Sequence, residues 1–436
     1  RGIRCRAYPG GAFLRHRRDL GQRLGPAAHG PAGRAGHAPL PRMWHQHELK
    51  ERYDVVIIGG GVHGLACAYY LAANHNITNV AVLEKRYLGG GGSGRNTTII
   101  RSNYLTPEGV AFYDESVKLY TDLSLDLDFN VMFSQRGHLT LAHSDSALRT
   151  MRWRAEVNQI QGVDSCLVYP DELAKICPQL DLSDHPRYPI LGALYHPPGG
   201  IIRHDAVVWG YAHGADRQGV HIHQMTEVFD IEVEENRVVA VQTNHGRIKT
   251  GMVLNATAGW CTLISDMAGV KMPITSHPLQ ATVTEPLKPF LDVIVVSGSL
   301  HVYVSQSDRG ELVMGASIDP YQSYSMDSTL GFLEGLGGHM LELFPFLSEV
   351  KVLRQWAGLC DMTPDYSPIM GFTPVAGFVV AVGWGTYGFK AAPVSGKRMA
   401  ELIATNRTPD LLHPFRLSRF EEGELVGEKG AASVGH

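Results

Sequence analysis

The chain has 436 residues, a formal net charge of −4, and 44% hydrophobic and 19% charged residues. That length exceeds the roughly 250–300 residues at which one core stops growing, so two intertwined domains are expected. The balanced charge leaves no basic face for nucleic acid, and no apolar run reaches the roughly 18 residues of a membrane span or forms a signal peptide. Neither nucleic acid nor membrane is expected as a partner, and the expected location is cytoplasmic.

Residues 1–42 differ in kind, with nine arginines, one acid, many Gly and Pro and no apolar period. They read as a disordered extension without a role in the fold, Met43 being the expected natural start. An Arg-rich, acid-poor stretch also suits a mitochondrial transit peptide, but Gly and Pro oppose the amphipathic helix that such peptides form.

Next comes Tyr53-Asp-Val-Val-Ile-Ile-Gly59-Gly-Gly61-Val-His-Gly64, followed by Val80-Ala-Val-Leu-Glu84. A β-branched strand enters a glycine turn, a helix opens, and a second strand ends on an acid, which makes a βαβ dinucleotide-binding unit. Gly59 allows the tight turn, Gly61 lets main chain approach a pyrophosphate at the helix N-terminus, and Gly64 lets helix and strand pack closely. Glu84 can accept from ribose hydroxyls, and an acid there argues against a 2′-phosphate. The glycine run from Gly89 to Gly94, followed by Arg95-Asn-Thr-Thr, can form a main-chain nest for diphosphate or ring oxygens, the alternative being a flexible linker.

Further along, a helix is expected from Thr106 to about Leu125, strands from Val131 to Ala142, and a helix from Asp145 to Ile160. After Arg203-His204-Asp205 an apolar helix runs to Gly219, and strands continue to Ala240. Met252 to Trp260 reads as a buried strand ending in small residues that admit a cofactor closely. Four alternating runs, Ala281–Glu285, Val293–Ser297, Val302–Gln306 and Leu312–Gly315, suit an antiparallel sheet. Gly377 to Trp384 is then a strand and Phe389 to Ala404 a helix, so the second domain is inserted in the first.

Six cysteines without CxxC spacing read as reduced, mostly buried thiols. His221 and His223 share one strand face. Such a pair can bind metal, but no third ligand is recognisable, so a solvated face is preferred and no metal site is expected. Asn96-Thr97-Thr98 matches a glycosylation sequon that has no such meaning without a signal peptide.

Gly383-Trp-Gly385-Thr386-Tyr387-Gly388-Phe389-Lys390 is a second glycine turn between strand and helix. A reduced flavin gathers negative charge on one ring edge, which a helix N-terminus stabilises; nicotinamide has no such need. The combination favours FAD over NAD. Lys390 is misplaced for helix stability, and its role is either to hold a substrate carboxylate or to be a solvated surface lysine.

By this point several stretches carry a resemblance: Asn96-Thr-Thr-Ile-Ile-Arg-Ser-Asn-Tyr104, Phe133-Ser-Gln-Arg-Gly137, Arg203-His204-Asp205, Ser276-His277-Pro278-Leu279-Gln280, His301 to Gln306, Glu311 to Gly315 and Gly383-Trp-Gly-Thr386. From about Tyr53 to the C-terminal Gly430-Ala-Ala-Ser-Val the chain resembles the β subunits of heterotetrameric sarcosine oxidases, within the FAD-dependent amine oxidases.

The resemblance implies an α/β fold: a glutathione-reductase-like FAD-binding Rossmann domain with an antiparallel β-sheet substrate domain. It implies residues 43–140 and 356–436 in the FAD-binding domain, and 141–355 mainly in the substrate domain with returning segments near 189–265. It further implies assembly with α, γ and δ subunits, noncovalent FAD where a small N-methyl amino acid is oxidised, and FMN joined covalently to His204, where oxygen is reduced to peroxide. NAD and tetrahydrofolate sites would belong to the α subunit and zinc to the δ subunit. FAD contacts would come from Gly59, Gly61, Val62, His63, Gly64, Glu84, Asn96, Thr97, Thr98, Ile100, Val228, Gly385, Gly388, Phe389 and Lys390. Arg101, Thr386 and Lys390 would serve catalysis, with Lys390 on the substrate carboxylate, and Arg203 and His277 would line the FMN site beside His204.

Two departures stand out. Arg203 replaces the family's lysine, exchanging a flexible ammonium for a rigid fork. Tyr387 stands where the family has glycine, so substrate choice is less firmly implied than reaction class. The rival readings are a single-flavin amine dehydrogenase and a non-catalytic FAD-binding assembly subunit.

Overall fold

The computed structural model describes Trp44 and residues 47–428; the N-terminal extension, Met43, Cys5 and the Gly430–Val434 stretch lie outside the described residues. The first part of the chain forms β1 (Val55–Ile58), α1 (Val62–His75), β2 (Val80–Leu83), β3 (Ile99–Ile100), α2 (Pro107–Asp126), β4 (Ser134–Gln135), β5 (His138–Ala142), α3 (Asp145–Ile160), β6 (Cys166–Val168) and α4 (Pro170–Ile176). Next come β7 (Gly192–His196), β8 (Gly200–Ile201), α5 (His204–Arg217), β9 (His221–His223), β10 (Val228–Glu234), β11 (Arg237–Thr243), β12 (Gly246–Lys249), β13 (Val253–Asn255) and α6 (Cys261–Met267). The last part holds β14 (Thr275–Pro286), β15 (Ile294–Ser297), β16 (Val302–Gln306), β17 (Glu311–Ile318), α7 (Leu330–Leu343), β18 (Val352–Met362), β19 (Ile369–Phe372), β20 (Phe378–Val382), α8 (Ala392–Thr405) and α9 (Arg419–Glu422).

A six-stranded sheet has the order β19-β20-β13-β1-β2-β9, parallel apart from the β19–β20 pair. Its central strands are buried on both faces, which is why β1 reads as a continuous apolar run. Val55 and Ile57 enter one core, and Val56 and Ile58 the core on the opposite face. Helix α1 is buried from Val62 to Ala72 and packs between α5 and α8. The α1–α8 approach requires glycine at one point: a Cβ on Gly396 would lie 2.4 Å from the Ala66 Cβ.

The second large sheet has eight strands in the order β18-β14-β17-β16-β15-β5-β7-β6. It is mixed rather than wholly antiparallel, because β15 pairs with β5 in parallel. These strands are far apart in the chain, and parallel pairing needs such a long crossover. Leu139 and Leu141 of β5 point into a core shared with Val295, Val302 and α7, while His138 and Thr140 point the other way, into a cavity between the sheets. Period-two alternation on this one strand therefore separates core from site.

The expected helix from Phe389 begins instead with a 3₁₀ turn, Phe389–Ala391, before α8 starts at Ala392 with proline in its first turn. Proline lacks an N–H and suits that position. The expected solvated face of β9 is also corrected. His223 is 2% exposed, and the Tyr53 hydroxyl hydrogen-bonds to His221 Nδ1 at 3.0 Å and His223 Nε2 at 3.1 Å. Tyr53, on the way into β1, covers that face. Cys67, Cys177, Cys261 and Cys360 are free and buried, whereas Cys166 is disulfide-bonded and departs from the expectation of reduced thiols. Among the described residues no helix is long and apolar enough to cross a membrane, and no group of three or more His, Cys, Asp or Glu is placed to hold a metal ion.

Candidate functional site

A cavity of about 340 Å³ runs from the first glycine turn to the C-terminal one. At the first turn Gly59 has φ +116°, and a Cβ there would lie 2.5 Å from Ala256 O at the end of β13. A Cβ on Gly64 would lie 2.1 Å from Gly59 O, so this glycine permits the turn without itself lining the cavity. The α1 N-terminus opens into the space, with the Val62 N–H donating to Ser93 Oγ at 3.0 Å. Glu84 Oε2 accepts from Gly60 N at 3.0 Å and Oε1 from Arg86 N at 2.9 Å. Burial nevertheless raises its carboxyl pKa above the ordinary value.

The glycine run is structured, which favours the nest over a flexible linker. Arg95 Nη1 donates to Gly90 O and Gly91 O, Asn96 Oδ1 accepts from Thr98 N at 2.7 Å, and Trp356 Nε1 donates to Arg95 O at 2.8 Å. Thr98 sits at φ +64°, a position the Asn96 side chain stabilises by closing a turn on itself. Asn96, Thr97, Thr98 and Val228 line the cavity, whereas Ile100 is fully buried in the core behind it.

At the other end, Asp361 of β18 anchors the second turn: Gly383 N donates to its carboxylate at 2.6 Å and Gly385 N to its carbonyl at 3.0 Å. Burial pushes the Asp361 carboxyl up to about 6. His63 stacks on Trp384 with centroids 3.9 Å apart and hydrogen-bonds Ser395 Oγ at 3.1 Å, tying the first helix to the second turn. Burial pushes His63 down to about 3, so the ring is neutral. Ser116 Oγ and the Tyr120 hydroxyl donate at 2.6 Å to Lys390 O and Phe389 O, fixing the 3₁₀ turn.

Lys390 is buried rather than solvated. Its Nζ donates to Thr386 O at 3.4 Å and lies 5.9 Å from the Tyr387 ring centroid, and burial together with Arg101 holds its pKa well below the ordinary value. Arg101 lies over the Tyr104 ring at 4.5 Å and donates to Asn103 Oδ1 at 2.9 Å. Arg154, on α3, donates to Asn103 O at 2.6 Å, and burial with Arg101 nearby pushes its pKa down to about 9. His138 is buried on the same wall, and burial, then Arg101, His196, Arg154 and Lys390, keep it neutral. Two guanidinium groups and the Lys390 amine thus converge, while the lining carboxylates Glu84 and Glu227 lie at the nucleotide end and Asp361 is engaged by the turn. Such a wall favours an anion. Sequence reading missed Arg154, His138 and Asp361; none belongs to a motif, and only strand alternation around His138 gave a signal.

Tyr387 is buried edge-on against Tyr104 at 5.9 Å and Tyr113 at 6.4 Å, and its hydroxyl donates to Glu428 O at 3.4 Å. It still lines the cavity, so packing and pocket shape are one property of this ring. Arg203, His204 and His277 do not line this cavity. Arg203 pairs with Asp205 through Nε–Oδ1 at 3.1 Å and Nη2–Oδ2 at 2.7 Å. His204 opens α5, and its pKa is lowered chiefly by burial. His277 is hydrogen-bonded to Asp319 O at 3.0 Å and Thr275 Oγ1 at 3.1 Å.

With this geometry in view, the sequence matches the family described as FAD dependent oxidoreductase over residues 54–402. The chain belongs to that family. It is 47% identical over 400 residues to the sarcosine oxidase subunit beta of Rhodobacter capsulatus, covering 92% of this chain and 96% of that protein. The corresponding Rhizobium meliloti subunit is 48% identical over 398 residues, covering 91% and 95%. Among solved structures, L-proline dehydrogenase from P. horikoshii superposes with a TM-score of 0.81 at 32% identity, covering 86% of this chain and all of that one. The resemblance to sarcosine oxidase β subunits therefore holds over the folded chain, which is an FAD-dependent oxidoreductase acting on CH–NH donors. The cavity fits the cofactor: at Gly59 and Gly64 a side chain would collide with main chain, and the nest beside them is held in shape.

Proposed function

We propose that this chain is the amine-oxidising subunit of a sarcosine oxidase-type complex, acting on sarcosine or a related N-methyl or secondary amino acid. The observation that carries the reading is the buried cationic wall of Lys390, Arg101 and Arg154 at the far end of a dinucleotide cradle. FAD would be held by Gly59 to Val62, Glu84, Asn96 to Thr98 and the Gly385–Phe389 turn, and it supplies the hydride acceptor. Lys390 and Arg101 receive the substrate carboxylate and so orient the N-linked carbon. Tyr387 lines this end of the cavity, backed by the buried rings of Tyr104 and Tyr113, and such an apolar face favours the neutral amine that oxidation requires. Gly388 and Phe389, at the start of the 3₁₀ turn with Thr386 beside them, would supply amides able to stabilise negative charge on a reduced flavin.

By the family resemblance, FMN is attached at His204, electrons leave to oxygen as hydrogen peroxide, and α, γ and δ subunits complete the assembly. Support comes from the Arg203-His204-Asp205 match and from a neutral, partly buried imidazole able to act as nucleophile. A second reading, a single-flavin dehydrogenase of secondary amino acids such as proline, is favoured by the likeness to L-proline dehydrogenase. One experiment separates them. Acid precipitation of the purified protein is expected to leave yellow flavin in the pellet, and His204→Ala to remove it while FAD binding and amine-dependent bleaching persist. A colourless wild-type pellet would favour the dehydrogenase, and a yellow mutant pellet would acquit His204.

A further inference from the structure

After α9 the described chain runs as a strap to Glu428, behind the substrate wall. It is clamped at Asp365, whose carboxylate accepts from Arg419 Nε at 2.8 Å, Arg419 Nη2 at 2.9 Å and Val426 N at 3.2 Å, and whose carbonyl accepts from Glu428 N at 3.1 Å. Glu428 itself is 2% exposed. Its carboxylate accepts from Leu105 N at 2.8 Å, Thr106 N at 2.9 Å and Thr106 Oγ1 at 2.6 Å, and its carbonyl accepts from the Tyr387 hydroxyl.

An acid buried without a cation in direct contact is costly unless its hydrogen bonds are complete, as they are here. Helix capping does not account for it, since Thr106 Oγ1 already accepts from Gly109 N at 3.1 Å. The two segments it joins are informative. Leu105 and Thr106 follow Tyr104, the ring under the Arg101 guanidinium, and Tyr387 belongs to the turn that carries Lys390. One residue therefore touches both arms of the cationic wall, by side chain on one and main chain on the other.

We propose that Glu428 is a positioning residue for the substrate carboxylate, holding the Arg101 arm and the Lys390 arm at a fixed separation. The inference rests on the carboxylate clamp proposed above and deepens it. Glu428 touches neither substrate nor flavin in this arrangement; it acts through the main chain of residues 105–106 and the Tyr387 ring. A buried charge also acts at a distance: the Glu428 carboxylate is among the influences that raise the pKa of Arg154 and so favour its cationic form.

The test uses the full FAD-loaded protein and two probes: sarcosine or proline, whichever turns over faster, and its neutral carboxamide. Glu428→Gln keeps one acceptor and the side-chain volume. It is expected to raise KM for the amino acid about tenfold, to change kcat and the carboxamide KM by less than roughly threefold, and to leave FAD content unchanged. Equal losses on both probes, or no loss on either, would overturn the proposal. Should Glu428→Gln fail to fold, Tyr387→Phe decides, because it removes only the link to the Glu428 carbonyl: a rise of about twofold confined to the charged probe supports the role, and an unchanged KM overturns it. Lys390→Met, measured in parallel, separates the two levels. If it discriminates between the probes and Glu428→Gln does not, the clamp stands and Glu428 falls; if Lys390→Met does not discriminate, both fall.

Discussion

The two ends of the cavity are built in opposite ways. The nucleotide end comes mainly from one stretch, Gly59 to Thr98, and works through main chain: turns without side chains, helix amides and one acid. The substrate end is assembled from Arg101, His138, Arg154, the 385–390 turn and Glu428, five separate segments that meet through buried side chains. At the first end, substitution adds bulk where none fits and should be felt in cofactor loading. At the second it alters buried charge and should be felt in substrate affinity.

The largest effect is expected at the first end. Gly64→Val places atoms against Gly59 O, which is main chain and can yield only by shifting the turn. Overpacking of this kind costs about 1–3 kcal/mol in ordinary cores, and a displaced turn loses phosphate contacts as well, so FAD affinity should fall by at least an order of magnitude. The flavin-to-protein absorbance ratio after gel filtration measures this. A fully loaded variant would break the comparison, because the cradle would then not hold the cofactor.

At the second end, Lys390→Met should leave FAD content near wild type and raise KM for an amino acid. A charge-assisted hydrogen bond is worth about 1.5–3 kcal/mol, or roughly ten- to a hundredfold in affinity. The neutral carboxamide should be affected much less. Lost FAD with no selectivity between the probes would show that Lys390 serves the cradle, not the wall.

The contrast also explains what was legible in the sequence. β1, the glycine turn, α1 and Glu84 are contiguous, so period, turn chemistry and spacing state them together, and α3 was read to the residue. β14 was read only from Ala281 to Glu285 although it spans Thr275–Pro286, because its first half carries Pro278 and polar residues that interrupt alternation. Lys390 could be singled out because a lysine beside a helix start is electrostatically misplaced. Arg154 and Glu428 could not: each looks like an ordinary surface charge until tertiary packing buries it. His221 and His223 failed for the same reason, since nothing local shows that Tyr53 covers them.

The smallest expected effect concerns pH, and it asks whether the two ends unfold together. Burial pushes His63 and His196 down to about 3 and His223 down to about 4. An unfolded histidine takes up a proton near pH 6.5, so below that value the unfolded state binds more protons than the folded one, and stability falls with falling pH. The contribution of each is therefore complete above about pH 6.5 and is lost towards its depressed folded value. Asp361 works in the opposite sense, because its folded pKa, raised to about 6, keeps it protonated where the unfolded carboxyl has ionised. Glu84, also raised by burial, works in the same sense as Asp361, but His138 adds to the three histidines, and the histidines outnumber the two carboxyls, so Tm should drop from about pH 7 to about pH 5. His223 lies in the cradle sheet, while His196 lies behind the substrate wall, where Nε2 accepts from Ser102 N at 3.2 Å. His223→Gln and His196→Gln should each flatten the dependence if the molecule melts as one unit. Flattening by only one of them would mean that the two ends open separately.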